Sequence, residues 1–246
     1  MDAPAHWQPA PAGQPPAPDE VQVWRILLDQ DAETIQRLGG LLSPDEVERA
    51  NRFFFEQLRV RYTAARGALR QLAGAFLSTA PAAVEFSYAL HGKPHLAGQT
   101  LKFNLSHSHQ YALIAFSRGR EVGVDIEQIK HLTDADQIAR RFFSPREVDD
   151  FLRTPAETRH LAFFNCWTRK EAYIKAIGDG LTFPLDQFRV TVTPGEPARL
   201  LEVRPDPHEA KRWKLESLEP GEQYRGAVIA EGQDWRLTLW DYRFAN

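Results

Sequence analysis

The chain reads as an α+β protein, because strand-like and helix-like periodicities alternate along its 246 residues in similar order in both halves. Strict alternation in Val122-Gly123-Val124-Asp125-Ile126-Glu127 marks a half-buried strand. Recurrence at three- and four-residue steps through Phe54, Leu58, Tyr62, Ala65, Leu69, Leu72 and Phe76 marks an apolar helical stripe. Ser43-Pro44-Asp45-Glu46 and Ser144-Pro145-Arg146-Glu147 are helix starts, each with a capping serine and proline at the first helical position.

The elements follow in order. The first twenty residues are mostly Ala, Pro, Gln and Gly and bury too little apolar surface to offset ordering entropy, so residues 1–20 are expected to be a flexible leader. Val21, Val23 and Ile26 to Leu28 predict the first strand. The stripe from Phe54 to Phe76 predicts one long helix, or two end to end. Gly92-Lys93-Pro94 is turn chemistry. Leu101, Phe103 and Leu105, followed by Tyr111 to Phe116, predict neighbouring strands. Val122 opens the second half. There the capping box at Ser144 starts a short helix to about Leu152. A longer helix is expected from Ala156 to Ala176, stopping near Gly178 and Gly180. Phe188 to Val192, Trp213 to Leu215, Arg225 to Ile229 and Trp235 to Tyr242 complete the strands. The expected units are the leader, an N-terminal half over 21–121 and a C-terminal half over 122–246.

Composition narrows the function. A net charge of −3 argues against bulk nucleic-acid binding. The single cysteine, Cys166, has no partner for an internal disulfide or a thiolate metal site. No secretory signal and no run of about 18 apolar residues is present, so a soluble cytoplasmic protein without a membrane role is expected.

Four groups of residues could carry chemistry. Period two puts Gly123, Asp125 and Glu127 on one strand face, and two adjacent carboxylates above a glycine suit a hard cation such as magnesium. The polar outer face of an edge strand is the alternative. In Trp167-Thr168-Arg169-Lys170-Glu171-Ala172-Tyr173-Ile174-Lys175, the four-residue steps place Trp167, Glu171 and Lys175 on one helical face. Glu171 sits on or beside the apolar stripe, where a carboxylate needs a compensating cation; a surface ion pair with Lys175 is the plainer reading. Asn104-Leu105-Ser106-His107-Ser108-His109 ends a strand in a polar cluster. Adjacent strand residues point to opposite faces, so a Ser–His nucleophilic pair is disfavoured against phosphate binding or strand-end hydrogen bonding. Between Arg49 and Arg70 lie six arginines and one acid, Glu56. A solvated face explains most of them, but Arg61 lies beside the apolar stripe and needs an anion.

In chain order, Gly92-Lys93-Pro94, Phe103 to Ser108, Val122 to Glu127, Arg141-Phe142-Phe143-Ser144 and Trp167 to Lys175 resemble the Sfp-like family of 4′-phosphopantetheinyl transferases. The likeness spans residues 92 to 181, with a weaker match over Leu42 to Leu72. The Trp-x-x-Lys-Glu-Ala form resembles the subgroup associated with secondary-metabolite and broad-specificity enzymes. The resemblance implies two similar α+β halves about a pseudo-twofold axis, with coenzyme A in the cleft between them. It implies Mg2+ held by Asp125, Glu127 and Glu171, with Lys175 steadying the attacked phosphate. Lys93, Asn104, Ser106 and His107 would hold the nucleotide end, with further positive charge from Arg49, Arg61 and Arg66. Some relatives carry lysine where this chain has Glu46.

The implied reaction transfers 4′-phosphopantetheine from coenzyme A to a serine of an apo acyl, aryl or peptidyl carrier protein, releasing 3′,5′-ADP. Glu171 is the candidate base, and a monomer is expected. Phe142, Phe143, Phe151 and Leu152 are candidates for carrier docking, with core packing as the alternative. Two rival readings use the same residues: a magnesium-dependent nucleotide phosphohydrolase, and a non-catalytic module that binds coenzyme A or carriers.

Overall fold

The computed structural model describes residues 6–10, 13–89, 91–96, 98–178 and 183–244. In the first half, β1 (Gln8–Pro9) and β2 (Glu20–Leu27) precede α1 (Ala32–Gly39), α2 (Pro44–Asn51) and α3 (Glu56–Leu77). The hairpin β3 (Phe86–Tyr88) and β4 (Pro94–Leu96) then leads to β5 (Leu101–Ser108) and β6 (Tyr111–Arg118). The second half runs through β7 (Val122–Gln128), α4 (Ala135–Phe142), α5 (Pro145–Arg153) and α6 (Ala156–Ile177). It continues as β8 (Phe188–Val190), β9 (Leu200–Val203), β10 (Trp213–Leu218) and β11 (Tyr224–Glu231), and β12 (Arg236–Tyr242) ends the series.

Each half packs one 22-residue helix, α3 or α6, against a sheet. The first sheet has the order β1-β12-β2-β6-β5 and the second β10-β11-β7. Period two explains how the halves join. On β2, Trp24 and Ile26 face the core under α3, while Val21 and Val23 face the other way. Those valines, with Leu113 and Ala115 of β6, meet Val122, Val124, Ile126 and Val228 of the second sheet in a third core. Strands buried on both faces therefore place the two halves back to back.

Both capping boxes form, at Ser43 with Glu46 and at Ser144 with Glu147. Gly178 ends α6 at φ 80°, a left-handed cap that favours glycine, whereas Gly180 lies outside the described residues.

Three expectations need correction. The apolar stripe does not begin at Phe54: α2 and α3 are separate, and Phe54 is 91% exposed in the bend between them. The C-terminal half does not keep all of 122–246, because β12 pairs in parallel with β2 and completes the first sheet. The expected leader contributes β1, whose Gln8 and Pro9 pair with Trp240 and Asp241. There Trp7 Nε1 donates to Glu219 O at 2.9 Å, and Arg25 stacks over the Trp7 ring. Trp7 supplies the apolar contact that the Ala/Pro composition concealed.

Candidate active site

In the second half β7 lies directly under α6. Gly123 lies against the carbonyl of Ala172, where no side chain fits. Asp125 and Glu127, on the same strand face, therefore meet Glu171 and Lys175 of α6, which stand one turn apart.

Lys175 Nζ donates to Asp125 Oδ1 at 2.5 Å and to Ser106 Oγ at 2.9 Å. Ser106 Oγ donates to the same Oδ1 at 2.8 Å. Asp125 Oδ2 is buried with no hydrogen-bond partner among the described residues. Two residues on, Ser108 Oγ donates to Glu127 Oε2 at 2.9 Å and accepts the Gln128 N–H at 3.0 Å. Asn104 Oδ1 accepts the Val124 N–H at 2.9 Å. Three alternate residues of β5 thus reach from the first sheet to β7 in the second, a ladder of side chains in place of a strand pairing.

The electrostatics of this cluster are those of an acid group short of positive charge. Burial, then repulsion from Asp125 and Glu127, pushes the Glu171 carboxyl up to about 7 against the attraction of Lys175. Burial and the Asp125 charge also raise Glu127. Lys175 is the ammonium bonded into the cluster, and Lys130 adds a weaker attraction at Glu127. The hard-oxygen donors and the unpartnered Asp125 Oδ2 fit a divalent cation such as Mg2+. Among the described residues, though, no three acidic or histidine side chains stand close enough to form a closed metal cage. The Lys175 ammonium occupies the Asp125 Oδ1 position, so a cation would bind with side-chain adjustment.

The basic residues divide into two sets. His107 is solvent-accessible beside the cluster; partial desolvation, then the charges of Lys175, Arg49 and Arg61, holds its imidazole below the usual range. Arg49 also lies over the Tyr62 ring, 5.7 Å from its centre. Arg61 has the anion partner its position demanded, donating to both oxygens of Asp29 at 2.7 and 3.0 Å. Arg66 is turned inward instead: with Arg70 it bonds Glu46, and all three are buried. The expected solvated arginine face is thus partly an internal ion cluster. Lys93 Nζ donates to Ala176 O at 2.6 Å and pairs with Glu121 at 3.0 Å, tying the β3–β4 hairpin to the end of α6.

Glu147 and Lys170 carry an arrangement that the sequence reading did not assign. Both are fully buried and paired at 2.8 Å. Glu147 also accepts the Ser144 and Val190 N–H groups, and Lys170 donates to Leu185 O and Phe188 O. The capping box at Ser144 was the available signal, but its glutamate has a second oxygen, which reaches β8. Phe143 and Phe151 are 3% and 1% exposed and belong to this core, which removes them as docking residues. Phe142 and Leu152 are only partly buried.

Fold and site together define a class: an α+β protein of two joined halves around a carboxylate–lysine cluster. Comparison with known proteins is specific. Residues 29–118 match the 4′-phosphopantetheinyl transferase N-terminal model, and residues 121–230 match that of the 4′-phosphopantetheinyl transferase superfamily. The chain is 41% identical over 240 residues to the 4′-phosphopantetheinyl transferase HetI of Nostoc sp., covering 96% of this chain and 98% of that protein. It is 28% identical to the 4′-phosphopantetheinyl transferase Sfp of Bacillus subtilis, covering 90% and 98%. A solved holo-[acyl-carrier-protein] synthase from Thermotoga maritima aligns at a TM-score of 0.36 and 20% identity, over 47% of this chain and 64% of that one. The chain belongs to the 4′-phosphopantetheinyl transferase family and is of its Sfp-like type.

Proposed function

We propose that this transferase moves the 4′-phosphopantetheine group of coenzyme A to a serine hydroxyl of an apo carrier protein and releases 3′,5′-ADP. One observation carries the reading: a chain alike to such a transferase from end to end brings Asp125, Glu127, Glu171 and Lys175 together. Asp125, Glu127 and Glu171 would hold Mg2+, which when bound neutralises pyrophosphate charge. Lys175, already at the cluster, offers its ammonium to the phosphate under attack. Glu171, directly or through a water on the cation, is the proposed acceptor of the serine proton. Arg49 and His107 are proposed to meet the nucleotide end, while Arg61, Lys93, Asn104 and Ser106 would reach it only by giving up or sharing their internal bonds. Arg66 would contribute through Glu46 rather than by contact.

The carrier is proposed to dock at the cleft of about 440 Å³ beside α4, α5 and α6. Ile129 and Leu132, both partly buried, give it an apolar wall, and Lys130 and His160 add a basic edge suited to an acidic partner. We read the enzyme as a cytoplasmic monomer, since one chain supplies both halves of the cluster. No described helix is long and apolar enough to cross a membrane.

The test is the intact mass of an apo carrier incubated with the enzyme, coenzyme A and Mg2+. One phosphopantetheine added by the native chain, and none by Asp125→Ala, is the expected result. Nucleotide release without carrier modification, across acyl, aryl and peptidyl carriers, would overturn the proposal.

A further inference from the structure

We infer that Ser108 is a positioning residue for Glu127, fixing one carboxylate oxygen so that the other is held ready for the cation. The inference rests on the metal reading proposed above and extends it to a side chain outside the donor set. Ser108 Oγ accepts the Gln128 N–H at 3.0 Å, which engages a lone pair and directs the hydroxyl proton elsewhere. That proton goes to Glu127 Oε2, at 2.9 Å. It is the one hydrogen bond to the Glu127 carboxylate among the described residues, and Oε1 is left without any.

The same pattern recurs one step along the strand. Ser106 ties Asp125 Oδ1 from β5, and Asp125 Oδ2 is the oxygen without a partner. Two serines spaced by two on one strand therefore each tie one oxygen of two carboxylates spaced by two on another. A free glutamate side chain holds rotamer entropy that a ligand must otherwise remove on binding. A bond to one oxygen removes part of it beforehand. Ser108 also joins the first sheet to the carboxylate strand of the second, so it makes the Glu127 orientation depend on how the two halves pack.

The test uses the full chain and Mn2+ alone, with free ion followed by electron paramagnetic resonance. Native protein, Ser108→Ala, Ser108→Thr and Asp125→Ala are titrated, and each is melted in EDTA. Ser108→Ala is expected to raise the half-saturating Mn2+ concentration about tenfold, the lower end for loss of a group that orients a ligand. Its melting midpoint in EDTA stays near native, and Ser108→Thr, which keeps the hydroxyl, restores affinity. Native affinity in Ser108→Ala would overturn the inference while leaving the metal reading intact. So would equal losses in Ser108→Thr and Ser108→Ala, which indicate packing rather than the hydroxyl. Failure of the native chain to bind Mn2+, or full binding by Asp125→Ala, would overturn the metal reading itself and Ser108's role with it.

Discussion

A Cβ placed on Gly123 would stand 2.0 Å from the carbonyl oxygen of Ala172, and 2.6 Å from the amide nitrogen of Ala176. Neither is the end of a flexible side chain; both are the backbone of α6. The helix can sit this low on β7 only because position 123 lacks a side chain, and the low seat brings Glu171 and Lys175 to Asp125. Gly123→Ala should therefore lift α6. Overpacking of this kind destabilises by roughly 1–3 kcal/mol, with backbone collisions toward the upper end. Urea unfolding should show the lowered midpoint, and transfer activity should fall more than stability alone explains, since the cluster opens.

Glu171→Gln separates function from folding. The native carboxyl is raised to about 7 from an ordinary 4.5, so the folded chain holds a proton more tightly than the unfolded one. Its favourable contribution is complete below about pH 4.5 and is lost as pH rises through about 7. Above that, the ionised group opposes folding. In EDTA at pH 8, Glu171→Gln should match or exceed native stability, by on the order of 1 kcal/mol once partial solvent access is allowed for. Mg2+ should raise the native melting midpoint more at pH 8 than at pH 6, and that of the variant far less. Carrier modification by the variant should be abolished. A variant that unfolds would assign Glu171 a structural role.

What the sequence made legible was periodic or local. The alternation from Val122 to Glu127 placed both carboxylates on one face, and steps of four placed Glu171 and Lys175 on another. Periodicity did not say that the two faces meet: the family resemblance implied it, and the contact at Gly123 is where α6 reaches β7. Long-range pairing left no such trace. Arg66 and Arg70 look like a solvated basic face until Glu46, at the start of the preceding helix, is known to lie between them. Asp29 carries no pattern that points to Arg61. The return of β12 to the first sheet is invisible because Leu237 and Leu239 alternate as they would in any half-buried strand. Phe54 fits the helical stripe in spacing, yet Phe55 adopts extended φ and ψ before α3 begins and puts it outside the stripe.

Lys175 and Asp125 form a pair whose two members differ in exposure: the lysine side chain is 29% accessible and the aspartate 4%. Removing the lysine strands a buried carboxylate, whereas removing both charges leaves nothing to desolvate. Lys175→Met should lower stability by about 2–4 kcal/mol, the range for breaking a largely buried pair reduced for the exposed lysine. Adding Asp125→Asn should recover much of that loss in chemical denaturation. Neither variant should transfer phosphopantetheine. Recovery of activity along with stability would show that Lys175 serves only to hold Asp125.

Lys170 provides the converse case, one residue before Glu171 in the same helix. Its ammonium and the Glu147 carboxylate are both 0% exposed, and every partner of the pair belongs to the second half. Its partners are structural groups of the second half, so its loss should act through folding. Lys170→Met leaves Glu147 buried without its cation and the carbonyls of Leu185 and Phe188 without their donor. A loss of about 3–5 kcal/mol is expected for breaking such a pair. Protein that remains folded at low temperature should keep the native Mn2+ affinity, while Glu171→Gln, its neighbour in sequence, should lose that affinity and remain stable. The two substitutions sit side by side yet point about 100° apart around α6: one toward the β8 region that Glu147 also binds, the other toward the carboxylates of β7.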